Sequence, residues 1–411
     1  MSRSTTTFQR LSTSLYSVGN AQDVPSTRGG LRIGIAGAGA IAFATAALLF
    51  EGGHDPMLWS PSGAGTEALR NGQPEMSVEL NESGSGGKGP SVWKVTPRIS
   101  SSAQELVDEN DVLILALPAN GHKQVFDAIA PYVRTGQPII ISSHSSFGAL
   151  YLAQLLREKL GNDAIPPIIA WGTTVCTARQ PTKTSVRVNT VRKSVDLCTL
   201  PNAESESSLE LCRFLFPQVG NFRLRSGLLA ISLSNLNPQN HLGIALGNIS
   251  RMEKGEAWYQ SEHITPNIGR LLESLDRERL DIAEALNLET KTIFEHFSLS
   301  FHVPMKSSIS DMNQEIHKMG NDVYGPNTAD SRYITEDIPF GLVPTIILGE
   351  MVGRPAVLHQ SGVQLVSAMY GRDFVAENDV LPALELEKYS LHELQEASLS
   401  GVLKKASPVT R

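Results

Sequence analysis

Hydrophobic residues are spaced differently in the two halves of the chain. In the first half, short apolar runs alternate with segments of helical character, and the first run, 31–36, leads directly into an alanine-rich stretch that ends at Leu49. Short apolar runs bounded by glycine and proline are typical of strands buried on both faces. Their alternation with helices from 31 to 160 therefore predicts an α/β fold built around a doubly wound parallel sheet.

The same pattern places the remaining elements of this half. We expect further strands at 56–60, 92–96, 111–118, 138–142 and 221–225, helices at 103–108 and 209–214, and a surface excursion at 71–92. Two more apolar segments, 168–174 and 184–191, are predicted to extend the same sheet.

Beyond Gly227 the hydrophobic spacing becomes that of helices. Apolar residues recur three and four positions apart along 267–296 and again along 342–370, which is the period of an amphipathic helix. The sequence thus predicts two domains, an α/β domain over 31–226 and an all-α domain over 227–411.

Composition narrows the class of protein. The 411 residues carry 35 Lys and Arg against 42 Asp and Glu, a net charge of −7, which disfavours nucleic acid and an anionic membrane as partners. No apolar run is long enough for a transmembrane helix.

The three cysteines are scattered, so neither a disulfide framework nor a metal site is expected, and a cytoplasmic location fits them best. Residues 1–30, rich in Ser and Thr, are interpreted as a flexible leader.

A glycine-rich turn joins the first strand to the first helix. Glycine at its first position lets the chain turn sharply, glycine at its third leaves space for a pyrophosphate, and a small residue at its sixth lets the helix pack closely on the sheet. The N-terminus of the helix then offers N–H groups to the phosphates. The alternative is a tight turn that binds nothing. The predicted cofactor-binding residues are Gly37, Ala38, Gly39, Ala40, Ile41 and Ala42.

The segment after the second strand bears on the choice of cofactor. Folds of this kind that bind NAD usually carry an acidic residue there for the ribose hydroxyls, whereas this chain has Ser60, Ser62 and a glycine-rich continuation. There is no carboxylate to repel a 2′-phosphate, and Arg70 is expected nearby. We therefore predict that Ser60 and Ser62 contact the cofactor and that it is NADP, with NAD as the alternative.

Two further strand ends carry polar residues. The strand at 111–118 ends in Pro118 and Asn120, and a run of Ser and His that begins at Ser143 follows the next strand. Both ends fall on the sheet edge where cofactor and substrate meet in such folds. We predict that Pro118 contacts the cofactor and that Asn120 and Ser143 contact a nicotinamide amide or a substrate carboxylate. A loop without a ligand is the alternative for the serine run.

In the helical half, a cluster of Asn and His surrounds a proline at 235–241. The cluster enters an otherwise apolar helix, where an unpaired buried polar group would cost about 1–3 kcal/mol. Histidine titrates near neutral pH and is suited to proton transfer to an amine or an alkoxide. His241 is thus a candidate acid–base residue, and a structural histidine that caps a helix is the alternative interpretation.

A second polar stretch runs from Asp330 to Gly341 and precedes an apolar helix. Arg332 is suited to hold a substrate carboxylate through two hydrogen bonds. Either Glu336 or Asp337 is suited to orient a histidine, as the acid of a catalytic triad does. Alternatively, the two carboxylates cap the helix that follows the Pro/Gly loop.

Together these motifs resemble those of the octopine/nopaline (opine) dehydrogenase family. The resemblance runs from about 31 to 375 and implies an N-terminal Rossmann domain, a C-terminal helical domain and an active site in the cleft between them. It rests on Gly37-Ala-Gly39-Ala-Ile-Ala42, on Asn237-Pro238 with His241, and on Arg332-Tyr-Ile-Thr-Glu-Asp337-Ile-Pro-Phe-Gly341.

The resemblance also implies the reaction, an NAD(P)H-dependent reductive condensation of an amino acid with a 2-oxo acid such as pyruvate or 2-oxoglutarate. By match to the family motifs, His241 is the catalytic acid–base residue, Asp337 orients it, and Arg332 and Asn237 contact the substrate. Two alternatives remain: a ketopantoate-type or 2-hydroxy-acid reductase that condenses no amine, and an NAD(P)-binding sensor without catalysis. A homodimer is expected because symmetric dimers are the commonest oligomers.

Overall fold

The computed structural model of the protein describes residues 29–72, 74–81, 91–161 and 165–403. The predicted leader, 1–30, lies outside these residues except for its last two positions. Within the four ranges, no helix combines the length and the apolar character that a membrane span needs.

The chain divides into two compact units, each discontinuous in sequence. The first unit contains the described residues up to His144, then Gly148–Ile231, and the chain from Glu393 onward. The second unit contains Ser145–Phe147 and Ser232–His392.

The described strands all belong to the first unit. They are β1 (Arg32–Ala36), β2 (Asp55–Trp59), β3 (Met76–Leu80), β4 (Ser91–Val95), β5 (Arg98–Ile99), β6 (Val112–Leu115), β7 (Ile139–Ile141), β8 (Ile168–Trp171), β9 (Cys176–Thr182), β10 (Ser185–Val191), β11 (Val195–Leu200) and β12 (Phe222–Leu224).

Eight of these strands form one sheet in the order β12-β11-β8-β7-β6-β1-β2-β5. Every neighbouring pair is parallel except β8 and β11. The central strands are buried on both faces, as the continuous apolar runs predict; Ile35 of β1 lies between Leu58 of β2 and Ile114 of β6. The predicted doubly wound parallel sheet is confirmed, and so is its extension by the strand at 168–171.

The remaining four strands form a second sheet in the order β4-β3-β10-β9, which the sequence did not predict. The expectation that 184–191 extends the main sheet is wrong. Val186 and Val188 are buried while Arg187 between them is exposed, so β10 has one apolar face only. Such a strand suits a sheet covered on one side, and here α1 (Ala40–Glu51) packs against β9 and β10.

The predicted surface excursion at 71–92 is also wrong in part. Met76–Leu80 is a strand of the second sheet, paired in parallel with β10 and antiparallel with β4. Residues 82–90, which contain the glycine-rich part of the excursion, lie outside the described residues. All three cysteines are buried without a disulfide, as expected of packing residues.

The helices of the first unit flank the sheets. After α1 they are α2 (Glu67–Asn71), α3 (Ala103–Asp108), α4 (His122–Ile129), α5 (Gly148–Leu160) and α6 (Ser205–Leu215). The boundary between the units falls within α7 (Leu228–Ser234).

The second unit is helical, as the period of its hydrophobic residues predicts. Its helices are α8 (Asn237–Glu253), α9 (Pro266–Ala285), α10 (Ile293–Phe301), α11 (Ile309–Lys318), α12 (Arg332–Thr335), α13 (Val343–Met351), α14 (Val357–Tyr370) and α15 (Val380–Leu384).

The last described helix, α16 (Leu391–Ser400), returns to the first unit from Glu393 onward. A Cβ on Gly227 would lie 2.8 Å from the side chain of Leu399, so the helix packs closely on the chain that enters α7. The sequence placed all of 227–411 in one helical domain. A helical period does not indicate the unit on which a helix packs, which is why the pattern missed this return.

A buried ion pair ties together several helices of the second unit. Asp276 and Arg279, on α9, are 4% and 2% exposed and lie 2.7 Å apart. Asp276 also accepts hydrogen bonds from the Gln239 side chain of α8 and from the N–H of Ile293 at the start of α10, each at 2.8 Å. Arg279 donates to the carbonyl oxygen of Leu233 on α7 at 2.6 Å.

We predict that Arg279→Met lowers the free energy of unfolding of the second unit by about 3–5 kcal/mol, because it leaves the Asp276 carboxylate buried without its counter-charge. Urea denaturation followed by circular dichroism measures the change. Arg277→Met, at an exposed position of the same helix, serves as the control and should change stability by less than about 0.5 kcal/mol. Equal stability of the two variants would contradict the prediction.

Candidate functional site

The first unit brings the predicted cofactor residues to one edge of its main sheet. The strands β2, β1, β6 and β7 are parallel neighbours, so their carboxyl ends share that edge. Backbone hydrogen bonds continue the ladder beyond the strands: the Gly37 N–H donates to Trp59 at 2.8 Å, and the Ser142 N–H donates to Leu115 at 2.9 Å. The residues that follow these four strands therefore lie close together.

Gly37 and Gly39 differ in backbone conformation and in the space around them. Gly37 has φ of +138°, and a Cβ there would lie 2.2 Å from the carbonyl oxygen of Ala116. A side chain at this position would both strain the backbone and collide with the neighbouring strand end. A Cβ on Gly39 would meet nothing within 4 Å, so the space beside it is open.

This turn fits the pyrophosphate of a dinucleotide. Gly39 is the N-cap of α1 and no side chain caps the helix, so the N–H groups of Ala40, Ile41 and Ala42 have no partner within the helix. Ala42 is fully buried, which allows the close packing of helix on sheet. A bound dinucleotide would be held by these N–H groups and by the positive end of the helix dipole.

The serine residues after β2 lie beside this turn. The Ser60 and Ser62 hydroxyls are 3.3 Å apart, and a Cβ on Gly65 would lie 2.6 Å from the Cβ of Ala38. Arg70, expected nearby, is exposed, and its guanidinium donates to the carbonyl oxygen of Ser100 at 2.8 Å; Ser100 follows Ile99, the strand partner of Leu58. Hydroxyl and backbone N–H groups form the polar surface of the loop itself.

The end of β6 carries Pro118 and Asn120, both exposed. Pro118 precedes a single 3₁₀ turn, Ala119–Gly121, and His122 then starts α4. His122 is buried, and its Nε2 lies 3.1 Å from the carbonyl oxygen of Leu117. Asn120 is therefore the residue of this turn whose polar side chain faces solvent.

The polar run after β7 is divided between the two units. Ser143 is half-buried in the first unit, next to the fully enclosed ring of His144. Burial lowers the pKa of His144 to about 3, so that ring is neutral at pH 7. Ser145 and Ser146 belong to the second unit, where both hydroxyls donate to the carbonyl oxygen of Phe340 at 2.5 and 2.7 Å.

The second unit brings together His241 and Asp337, which are 96 positions apart in sequence. The Nδ1 atom of His241, on the second turn of α8, lies 2.7 Å from Oδ2 of Asp337. The two side chains are 18% and 16% exposed, so the pair is shielded but reachable from solvent. A carboxylate only accepts hydrogen bonds, so Nδ1 carries the proton that joins them. Nε2 is then the nitrogen that can give or take a proton.

The structure also separates the two neighbouring carboxylates. Asp337 holds the histidine, whereas Glu336 pairs with the guanidinium of Arg332, four residues earlier. Asp337 stands at the N-cap position of the following turn but its side chain makes no cap hydrogen bond. Of the interpretations that the sequence left open for Asp337, the contact with the histidine is the one observed. The Arg332 side chain is 66% exposed and so is accessible to a solute anion.

The predicted Pro/Gly loop at 338–341 is instead a π-helical turn, Ile338–Leu342, that continues directly into α13. Proline is tolerated there because it lies in the first turn of the helix. A Cβ on Gly341 would lie 2.2 Å from Cγ of Pro238, so the turn packs directly on the start of α8. Asn237, exposed and four residues before His241, lies on the same face of α8 as the histidine.

Sequence reasoning missed Tyr333. Its ring stacks on the His241 ring with centroids 3.5 Å apart and planes 8° apart. The Tyr333 hydroxyl donates to Oε1 of Gln260 at 2.6 Å. The signal was present in the spacing, because Tyr333 stands four residues before Asp337, one turn of a helix.

A family model and a related protein sequence both match this chain, and both point to the same family. Residues 224–370 match the profile of a family described as NAD/NADP octopine/nopaline dehydrogenase, alpha-helical domain. An opine dehydrogenase from Arthrobacter sp. (strain 1C) is 32% identical over 288 residues, which cover 68% of this chain and 76% of that protein.

Solved structures share the fold at lower sequence identity. Two octopine dehydrogenase structures, described as complexes of NADH with L-arginine and with pyruvate, superpose with TM-scores of 0.73 and 0.72. Both are 18% identical and cover 92% of this chain and 100% of theirs. A yersinopine dehydrogenase with NADP+ bound has a TM-score of 0.62 at 15% identity and covers 90% of this chain and 98% of its own.

We predict that Gly39→Ala weakens NAD(P)H binding about tenfold or more without lowering the melting temperature of the protein alone. The new methyl group has room in the fold but occupies the space left for a pyrophosphate. Gly37→Ala is the matched comparison and should destabilise the first unit, because it collides with Ala116. Fluorescence titration and thermal unfolding measure the two effects. Undiminished affinity in Gly39→Ala would show that the pyrophosphate binds elsewhere.

Proposed function

Because the chain belongs to the opine dehydrogenase family of NAD(P)-dependent oxidoreductases, we propose that it catalyses the reductive condensation of an amino acid with a 2-oxo acid. The amine and the ketone lose water to form an imine, and reduction of the imine gives an N-(carboxyalkyl) amino acid. Pyruvate and 2-oxoglutarate are the 2-oxo acids that we propose. The octopine dehydrogenase complexes with L-arginine and pyruvate support this substrate class.

The observation that carries the proposal is the hydrogen bond between His241 and Asp337. Reduction of an imine consumes one proton and one hydride, so the enzyme needs a proton donor near neutral pH. A histidine whose Nδ1 is held by a carboxylate is left with Nε2 to exchange a proton with the substrate. Bound NAD(P)H would supply the hydride.

The remaining proposed roles follow from exposure and charge. The exposed guanidinium of Arg332 would hold a substrate carboxylate, and Asn237 would add a polar contact on the histidine side of α8. On the first unit, Asn120 and Ser143 would contact the nicotinamide amide or a substrate carboxylate, and Pro118 would contact the cofactor. The reaction needs both units, because the proposed cofactor turn is in one and the acid–base pair is in the other.

We also propose that the chain prefers NADP over NAD. The loop after β2 presents the hydroxyls of Ser60 and Ser62 and carries no carboxylate that would repel a 2′-phosphate. Arg70, whose exposed guanidinium donates to Ser100 beside the end of β2, is the cation expected near this loop.

The proposal is tested by measuring NADPH and NADH oxidation for a panel of 2-oxo acids, each with and without amino acids. We expect oxidation only when both substrates are present, and faster with NADPH. Oxidation by the 2-oxo acid alone would instead identify a simple reductase. Cofactor binding without any turnover across the panel would identify a sensor.

We predict that His241→Asn lowers kcat about 10²–10⁴-fold, the usual contribution of a positioned acid–base group, and leaves the Kd for NADPH unchanged. Asp337→Asn should also lower kcat, because its amide no longer fixes the proton on Nδ1. Stopped-flow and binding assays measure both quantities.

The chain offers a matched control for this experiment. His317 and Asp322 form a second pair in the same unit, with Nδ1 and Oδ2 3.0 Å apart. His317→Asn should retain kcat near that of the wild type. Comparable loss in the His317 and His241 variants would remove His241 from its proposed role.

A further inference from the structure

The His241 ring is restrained in two perpendicular directions. Asp337 holds it within the plane of the ring through Nδ1, and Tyr333 covers one of its faces. Tyr333 and Asp337 stand four positions apart, so one turn of chain presents both groups to the same imidazole.

The stack covers one whole face of the imidazole. The centroids are only 3.5 Å apart and the planes are inclined by 8°, so the rings overlap face to face. A ring that lies flat on the imidazole restrains it in the orientation in which Nδ1 meets Asp337.

The tyrosine is itself held in place. Its hydroxyl donates to Gln260 at 2.6 Å, and the Gln260 backbone N–H donates to Val323 at 2.8 Å. Tyr259, next in the chain, is bridged to Tyr324 as an isolated antiparallel pair. The ring of Tyr333 is thus attached at both ends, by α12 at its Cα and by this paired segment at its hydroxyl.

We propose that Tyr333 is a positioning residue that fixes the plane of the His241 imidazole, so that Nε2 keeps its orientation for proton transfer. This inference rests on the acid–base role proposed above for His241. Tyr333 acts through the histidine and needs no contact with the substrate.

The test compares Tyr333→Phe, which keeps the ring, with Tyr333→Leu, which removes it at similar volume. Tyr333→Phe should stay within about threefold of wild-type kcat. Tyr333→Leu should lose about tenfold or more in kcat with an unchanged KM for NADPH.

A control and a second measurement separate this role from a structural one. Phe301→Leu removes a ring of the same unit that stacks on Phe297, with centroids 5.8 Å apart, and should leave kcat unchanged. In nuclear magnetic resonance spectra, the His241 ring protons should be shifted upfield by the tyrosine ring in the wild type and in Tyr333→Phe, but not in Tyr333→Leu.

The results distinguish this inference from the proposed function. If His241→Asn is inactive while Tyr333→Leu keeps wild-type kcat, the role of Tyr333 is overturned and the proposed function stands. Equal losses in Tyr333→Phe and Tyr333→Leu would also overturn it, because the hydroxyl and not the stack would then matter. If His241→Asn is fully active, the acid–base role fails and the inference fails with it.

Discussion

The chemistry proposed for the second unit depends on one hydrogen bond between residues that are distant in sequence. It joins Nδ1 of His241 to Oδ2 of Asp337. The turn at Ile338–Leu342, which follows Asp337, packs directly on the start of α8. The absence of a side chain at Gly341 allows that approach, since a Cβ there would collide with the side chain of Pro238. The glycine is therefore a geometric requirement of this packing.

In the first unit, the turn at 37–42 relies on backbone groups and not on a bond between two side chains. The turn proposed to hold the cofactor depends on the backbone: a positive φ at Gly37, open space at Gly39 and N–H groups at the start of α1. Binding through backbone groups is insensitive to side-chain substitution except where a glycine is replaced.

Much of the fold could be predicted because it follows from local patterns. Continuous apolar runs gave the parallel strands, and the helical period gave the character of the second unit. The second sheet could not be predicted, because β3 and β10 are far apart in sequence and alternation alone does not name a partner strand. The position of α16 could not be predicted either, because the sequence of a helix does not indicate the unit on which it packs.

The residues of the candidate site could likewise be predicted only in part. Residue types alone left His241 with a structural alternative and left Glu336 and Asp337 equivalent, and the pairing of His241 with Asp337 came from the resemblance. The structure supplied what neither source gave: the pairing of Glu336 with Arg332, the division of the serine run between the units, and the stack on Tyr333. Each of these depends on three-dimensional packing between segments that no local pattern connects.

The segment 332–337 contains two overlapping pairs of residues, each four positions apart. Arg332 pairs with Glu336, and Tyr333 and Asp337 both contact the imidazole of His241. One inserted or deleted residue within it would rotate the later members by about 100° relative to the earlier ones. All of its contacts would then be lost at once, whatever the new residue was. A change in the length of this segment would therefore disturb more contacts than the replacement of any one of its side chains.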